Sequence, residues 1–346
     1  MSDPTASPPD AEELHRSCLV IDSHNDSAVA LIRQGCVGLG GERDRSRRNR
    51  AGAVAYLRQY VSGEATMQLD IPQMRAGGID AAFFAVDTTR AWGNHLLYAL
   101  DAHGYLKREV RKHTADIVIA ESAQDILNAR EAGKLAALLA VENSTALERS
   151  LYALDALYEL GVRTLTITHS ARNEAADGCE VEGGSGLTGF GRQVVDRMNE
   201  LGMLIDVSHL NEQGFWDVLE RSTQPVIASH SCCRALCDHP RNLTDEQLRA
   251  LGAASGVVAL TYVPFFIDTE APSLERLVDH ILHAFEVAGE SAVGLGSDFD
   301  GGGDLLPSAS EVPGITVELL ARGVDPGTVR AILGGNTLRL LQATIG

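Results

Sequence analysis

Short apolar runs alternate with longer segments of helical period along most of the chain. The runs fall at residues 18–22, 81–86, 135–141, 164–168, 203–207, 226–228, 257–261 and 292–296. Each is short enough for one strand and is bounded by turn-forming or polar residues, which predicts buried strands. Between them, residues 95–113, 151–160, 190–201, 211–221, 244–251, 273–288 and 326–333 carry apolar positions at helical spacing. Capping signals mark several of these and one further helix start. Ser122 precedes Ala123-Gln124-Asp125, Thr244-Asp245-Glu246-Gln247 reads as a capping box, and Asp325 stands before Pro326 as an N-cap before a first-turn proline. Gly161, Gly202 and Gly252 follow helical runs, where a left-handed terminating residue is expected.

Eight strand candidates alternating with helices predict a parallel α/β fold, and eight is the count of a closed (β/α)₈ barrel. A doubly wound open sheet is the alternative. The 346 residues suit one barrel domain over 13–346 with long βα loops, preceded by a disordered lead-in over 1–12. Two stretches interrupt the alternation. Residues 34–63 begin glycine-rich and turn basic through Arg43, Arg45, Arg47, Arg48 and Arg50, which reads as a solvated excursion. Residues 170–189 are rich in Gly, Glu and Asp and read as a loop over a site.

Composition narrows the partners. Apolar residues make up 45%, enough for a large core, and the formal net charge is −18. That balance argues against nucleic acid and anionic membranes as partners. No signal peptide and no membrane-length apolar run is found, so the expected location is the cytoplasm. The six cysteines form no C-x-x-C pair, and Cys232, Cys233 and Cys237 read as buried free thiols. The N-x-[ST] matches at Asn25, Asn143 and Asn242 carry no weight without secretion.

The candidate chemistry sits at the ends of the runs. The first ends in His24 and Asp26, the next ones in Glu142, His169, His209, His230 and Asp298. In parallel α/β folds, sites form outside the carboxyl ends of strands, so these residues converge on one mouth. His24 and Asp26 are two apart and share a strand face, which allows both to ligate one ion, with Asp22 behind them. Mixed histidine and carboxylate donors suit Zn²⁺ and similar ions. The stretch Gly184-Ser185-Gly186-Leu187-Thr188-Gly189 matches G-x-G-x-x-G, but it follows an acidic loop instead of a strand and so is not read as a dinucleotide site.

Taken together, the segments Ile21-Asp22-Ser23-His24-Asn25-Asp26, Gln68-Leu69-Asp70-Ile71-Pro72, Val141-Glu142-Asn143, Asp206-Val207-Ser208-His209, Ala228-Ser229-His230-Ser231, His239-Pro240-Arg241-Asn242 and Gly296-Ser297-Asp298-Phe299-Asp300-Gly301 resemble the membrane (renal) dipeptidase family of zinc metallopeptidases. The resemblance runs from about Val20 to Leu341. It implies an amidohydrolase-like barrel holding two zinc ions with a bridging water or hydroxide. His24 and Asp26 would bind one ion, His209 and His230 the other, and Glu142 would bridge them. His169 would contact the reacting carbonyl, Arg241 the substrate carboxylate, and Asp298 would shuttle protons. Asp300 is an alternative shuttle, Asp298 has an alternative reading as a helix N-cap, and Tyr262 is a candidate pocket residue. The substrate implied is a dipeptide, and relatives imply a homodimer. One departure concerns the segment Ile79-Asp80-Ala81-Ala82-Phe83-Phe84-Ala85-Val86-Asp87, which lacks the family's Gly-Gln-Phe-Trp pattern and so leaves the pocket shape open. A related binuclear amidohydrolase acting on a lactam or N-acyl amino acid, and a non-catalytic binding barrel, are the competing functions.

Overall fold

The computed structural model describes residues 10–34, 37–42, 67–91 and 93–346. Among them are nine parallel strands: β1 (Ile21–Asn25), β2 (Ala81–Asp87), β3 (Ile117–Ile119), β4 (Leu135–Glu142), β5 (Val162–Thr166), β6 (Leu204–Asp206), β7 (Ile227–Ser231), β8 (Val257–Leu260) and β9 (Val293–Leu295). Eight of them follow one another around a ring, β2-β1-β9-β8-β7-β6-β5-β4, and β2 pairs with β4 to close it. This is the (β/α)₈ barrel, and its eight staves are the eight predicted runs. The ninth strand, β3, lies outside the ring and pairs with the first residues of β4, Leu135 to Ala137. The sequence reading missed it, because three residues are too few to carry a period.

The seven expected helical segments all form, as His95–Lys112, Leu151–Glu159, Gly189–Leu201, Glu212–Arg221, Asp245–Ala253, Leu274–Ala288 and Pro326–Arg330. Their caps are those the sequence announces. Ser122 and Asp125 cap each other reciprocally, as do Thr244 and Gln247, and Asp325 accepts from the amides of Gly327 and Thr328. Each such cap is worth about 1 kcal/mol to its helix. Gly161 and Gly202 take positive φ, of 103° and 69°, as expected. Gly252 does not; it lies inside the helix Asp245–Ala253, and Ser255 takes the left-handed turn instead. A Cβ on Gly252 would stand 1.9 Å from the Ala288 carbonyl oxygen, so glycine there permits close approach of two helices. The lead-in expected over 1–12 falls mostly outside the described residues; at its end Asp10 caps, and Ala11 opens, the helix Ala11–Ser17. The basic run from Arg43 to Arg50 also lies outside them.

Side-chain alternation splits the core in two. Ala82, Phe84 and Val86 of β2, with Ala137, Leu139 and Val141 of β4, pack outward against the helices. Ala81, Phe83 and Ala85, with Ala136, Leu138 and Ala140, point into the barrel. There they meet Ile21, Leu204, Ile227 and Val257. Ile126, Ala129, Leu340 and Leu341, from the helices Ala123–Glu131 and Asn336–Thr344, close the floor at the strands' amino ends. The opposite end is left for polar groups. No helix among the described residues is long and apolar enough to cross a membrane.

Candidate metal centre

The inward faces of β2 and β4 continue upward from their apolar residues to Asp87 and Glu142, which are partners in the register of the closing ladder. Two carboxylates therefore open the mouth by strand alternation alone. The histidines arrive by another route. Counting from the inward Ile21, alternation would turn His24 outward. Between Asp22 and Asn25, however, β1 advances three residues while β2 advances two, from Ala82 to Phe84. The same extra residue occurs in β7, where Ala228 to Ser231 face Val258 to Leu260. These bulges bend each strand at its end and re-aim His24 and His230 into the mouth. His209 and Asp298 are placed by left-handed backbone, at φ 69° and 61°. Such conformations cost non-glycine residues free energy and tend to persist at functional sites.

The donors converge tightly. Glu142 Oε1 lies 2.9 Å from His209 Nε2 and 3.5 Å from His230 Nε2, while its Oε2 lies 3.9 Å from His24 Nε2. His24 Nε2 lies 3.9 Å from Asp26 Oδ2. The two imidazole nitrogens Nε2 of His209 and His230 approach to 2.9 Å, and the rings of His24 and His230 stack at 3.7 Å. Among the described residues, three groups at the mouth have atoms close enough to hold an ion: His24, Glu142 and His230; Glu142, His169 and His209; and His24, Asp26 and Asp298. Glu142 is common to two of them and is only 3% exposed. A fourth group, Glu42, Glu109 and His113, lies away from the mouth, where Lys112 already neutralises Glu109.

A metal fits this set on three counts. His24 Nε2 and Asp26 Oδ1 are buried without a hydrogen-bond partner among the described residues, an expensive arrangement unless an ion takes the lone pairs. The imidazoles are held neutral, as ligands must be. Burial, then the neighbouring His230, push His24 down to about 3; burial, then Arg241, push His209 and His230 well below the usual histidine range. Burial, then Glu142, raise Asp26 far above the carboxylate range and Asp298 to about 8, so without metal these acids hold protons that an ion would displace. Finally, the tautomer is fixed from behind. The Ser229 hydroxyl donates to Asp206 Oδ2 at 2.6 Å, so its oxygen accepts from His230 Nδ1 at 2.8 Å, leaving the lone pair on Nε2. Thr166 Oγ1 also donates to Asp206 at 2.6 Å, and Ser170 Oγ meets His209 Nδ1 at 3.2 Å. Burial opposes ionisation of Asp206, but His230 and these hydroxyls outweigh it and hold the carboxyl below its usual range.

The remaining expected residues divide. His169 lines the mouth and packs its ring 4.1 Å from His209. Arg241 is 3% exposed; its Nη2 donates to the His230 carbonyl at 2.9 Å and its Nε is unpartnered. Asp298 opens no helix. Its carbonyl accepts from the amides of Gly301, Gly302 and Gly303 in a tight turn. A Cβ on Gly301 would stand 2.0 Å from Asp26 Oδ2 and 2.4 Å from Asp298 Oδ1, so glycine makes room for both carboxylates. Asp300 is occupied elsewhere, accepting from Ser27 Oγ at 2.6 Å and the Gln68 amide at 2.9 Å, which leaves Asp298 as the acid facing the mouth. Tyr262 does not line the cavity. It is 1% exposed, its backbone is pinned to Ser297 and Leu305, and its ring packs against Phe299; Val263, Phe265 and Phe266 line the wall instead. Asp22 accepts from the backbone and hydroxyl of Ser297, and so steadies the turn bearing Asp298.

The cavity over this centre has a volume of about 260 Å³, sized for a small molecule, and the 170–189 loop contributes Ser170 and Glu180 to it. That loop is tied down by Cys179 N–H donating to the His209 carbonyl at 2.8 Å. The G-x-G-x-x-G stretch does lead into a helix, but Asp177 and Asp217 already accept the amides of Ser185 and Leu187, and these carboxylates would repel a pyrophosphate. Cys232, Cys233 and Cys237 are buried free thiols. Among the mouth residues that the sequence reading gave no role are Asp87 and Arg90. The alternation Ala81, Phe83, Ala85, Asp87 was the available signal for the first.

Comparison with known proteins agrees with this fold. The family model described as membrane dipeptidase (peptidase family M19) matches residues 9–345. The dipeptidase verJ of Clonostachys rogersoniana is 34% identical over 239 residues, 68% of this chain and 62% of its own length. The dipeptidase tcpJ of Claviceps purpurea (strain 20.1) is 34% identical over 248 residues, 68% of this chain and 57% of its own. The matched part thus spans about three-fifths of these curated relatives. Among solved structures, dipeptidase AC, a metallopeptidase of family M19, superposes with a TM-score of 0.82 at 27% identity, covering 95% of this chain and 99% of that one. A metallopeptidase from Rhodobacter sphaeroides, bound to a phosphinate mimic of the dipeptide L-Ala-D-Ala, superposes with a TM-score of 0.81 at 27% identity, covering 94% and 99%. With its family match spanning nearly the whole chain and its barrel shared with family members, this protein belongs to the membrane dipeptidase family, peptidase family M19.

Proposed function

We propose that the protein is a two-zinc dipeptidase. The observation that carries the reading is Glu142, one carboxylate whose two oxygens face different histidines, His209 and His230 on one side and His24 on the other. His24 and Asp26 would hold the first ion, His209 and His230 the second, with Glu142 between. Two divalent ions there would lower the pKa of a shared water from about 15.7 towards neutrality and polarise a carbonyl. The protein's own groups account for the rest. Arg241, buried with an unpartnered Nε, receives the substrate's terminal carboxylate, for which its planar fork is suited. His169 stands beside His209 and donates to the oxygen that gains charge when the peptide carbonyl is attacked. Asp298, freed by bound metal of the proton it holds in the metal-free site, takes the attacking water's proton and returns it to the departing amine. A carboxylate anchor this close to the reacting bond favours dipeptides, since a longer chain carries its terminal charge out of reach. The dipeptide mimic bound by the Rhodobacter sphaeroides relative supports the same substrate class.

The test is elemental analysis together with a panel of L,L- and L,D-dipeptides, N-acyl amino acids and lactams. About two zinc ions per chain, and dipeptide hydrolysis that chelation abolishes and zinc restores, are expected. Full activity in metal-free protein would sink the reading. Turnover confined to acyl amino acids or lactams would replace it with the related amidohydrolase.

A further inference from the structure

One wall of the mouth carries a cation that the reaction above does not use. Asp87 ends β2 on its inward face, and Arg90 follows it in the short turn Thr88–Arg90. Arg90 Nε donates to Asp87 Oδ2 at 2.8 Å, and Asp87 Oδ1 accepts from the Thr89 amide at 2.8 Å and the Thr89 hydroxyl at 2.5 Å. Arg90 and Asp87 thus form an ion pair three residues apart, with Asp87 buried beneath it. The guanidinium is therefore clamped through one edge. Its two Nη groups have no hydrogen-bond partner among the described residues, and Arg90 lines the same cavity as Asp26, Glu142, His169 and Asp298.

The two arginines of the mouth stand at different sides of the centre. Arg90 is paired with Asp87 at the end of β2, which lies four strands from β7, the strand of His230, in either direction round the ring of eight. Arg241 is hydrogen-bonded to the His230 carbonyl and stacks over Phe266. With a dipeptide's terminal carboxylate on Arg241, its amino-terminal residue lies towards Arg90. The Arg241 side also carries Glu180, which lines the cavity and acts on His239, and this acid would repel a second carboxylate at the carboxy-terminal residue. Resting on the dipeptidase reading, we propose that Arg90 selects dipeptides whose amino-terminal residue bears a carboxylate side chain, Asp-Xaa and Glu-Xaa. A guanidinium fork held along one edge and open along the other matches a carboxylate in two parallel hydrogen bonds, and it is preorganised for them. The segment that departs from the family's pattern, residues 79–87, ends on Asp87, the partner of Arg90.

The experiment compares kcat/KM of the zinc-loaded protein on Ala-Ala, Glu-Ala, Asp-Ala, Lys-Ala and Ala-Glu. The variants are Arg90→Met, Arg90→Lys and the double variant Asp87→Asn/Arg90→Met, which leaves no buried carboxylate unpaired if the single change misfolds. The wild type should favour Glu-Ala and Asp-Ala over Ala-Ala and Ala-Glu. Losing charge-assisted hydrogen bonds worth ~1.5–3 kcal/mol should lower the preference for the acidic substrates, their kcat/KM relative to that of Ala-Ala, roughly 10- to 100-fold in Arg90→Met and the double variant. Arg90→Lys should restore part of the preference. An equal loss on every substrate would show Arg90 to be a counter-ion of Asp87 and overturn the proposal. So would wild-type hydrolysis that ignores the amino-terminal side chain, while leaving the dipeptidase reading intact. A wild type that cleaves no dipeptide overturns that reading first.

Discussion

The floor and the mouth of the barrel are opposite ends of the same strands, yet they are built on opposite principles. In β4, Ala136, Leu138 and Ala140 fill the interior with apolar contacts, and two residues on, Glu142 is buried among histidines. The floor gains stability from every group in it, sealed by Leu340 and Leu341. The mouth gathers carboxylates and imidazoles whose charged forms burial disfavours, and leaves lone pairs of His24 and Asp26 unpaired. It is costly to fold without metal and is ordered by the scaffold beneath it. The lesson is that stability and chemistry are separable along a single strand.

That separation can be broken or sharpened by substitution. The largest effect should come from Asp298→Asn, which keeps the volume but removes the proton carrier. Turnover should fall by ~10²–10⁴-fold, the usual contribution of a positioned acid–base group. Zinc content should be retained and the metal-free melting temperature should be unchanged or higher. An unaltered rate would remove Asp298 from its role. Next, Leu138→Ala in the floor should cost about 2–5 kcal/mol of unfolding free energy, read by denaturant titration. The specific activity of the protein that remains folded should stay near wild type. A loss of activity without a loss of stability would contradict the division. Third, Ser229→Ala cuts the relay from Asp206 to His230 Nδ1. Zinc affinity should fall roughly 10- to 100-fold, as it does when outer partners of metal-bound histidines are removed. Calorimetric zinc titration reads this directly.

The smallest effect is a pH dependence. Burial, ahead of the other influences, raises Asp22 to about 7 and Asp298 to about 8, from an ordinary value of 3.8. Between 3.8 and 8 the metal-free fold therefore binds more protons than the unfolded chain. The stability these groups allow is present in full below 3.8 and is lost as pH rises through 7 to 8. Below about 6.5 the buried neutral histidines act in the opposite sense, so the melting temperature of chelated protein should decline from pH 6.5 towards pH 8, by an amount that zinc reduces, since the ion replaces the protons at the mouth. A chelated protein that grows more stable over that window would show the acids to be ionised already.

Much of the molecule was legible in the chain. The eight apolar runs are the eight barrel staves, since strands buried on both sides must be apolar over their length whatever surrounds them. The caps at Ser122, Thr244 and Asp325 were readable because a capping side chain and its amides are neighbours in sequence. The candidate ligands were found because a parallel sheet brings its carboxyl ends together, and the spacing of His24 and Asp26 pointed to one ion. Here the structure supplies a different cause for a similar result. His24 enters the mouth through an extra residue in β1, and His230 through the same device in β7. A bulge is defined by the partner strand's register, which no local pattern contains. For the same reason the pairing of Asp87 with Glu142, the burial of Tyr262 against Phe299, and the clamp that turns Arg90 into the mouth were decided only in three dimensions. The sequence determined which residues could reach the barrel's open end, because that depends on strand order and apolar length. Tertiary structure decided which of them face one another, because that depends on register, backbone sign and the neighbours that occupy the remaining space.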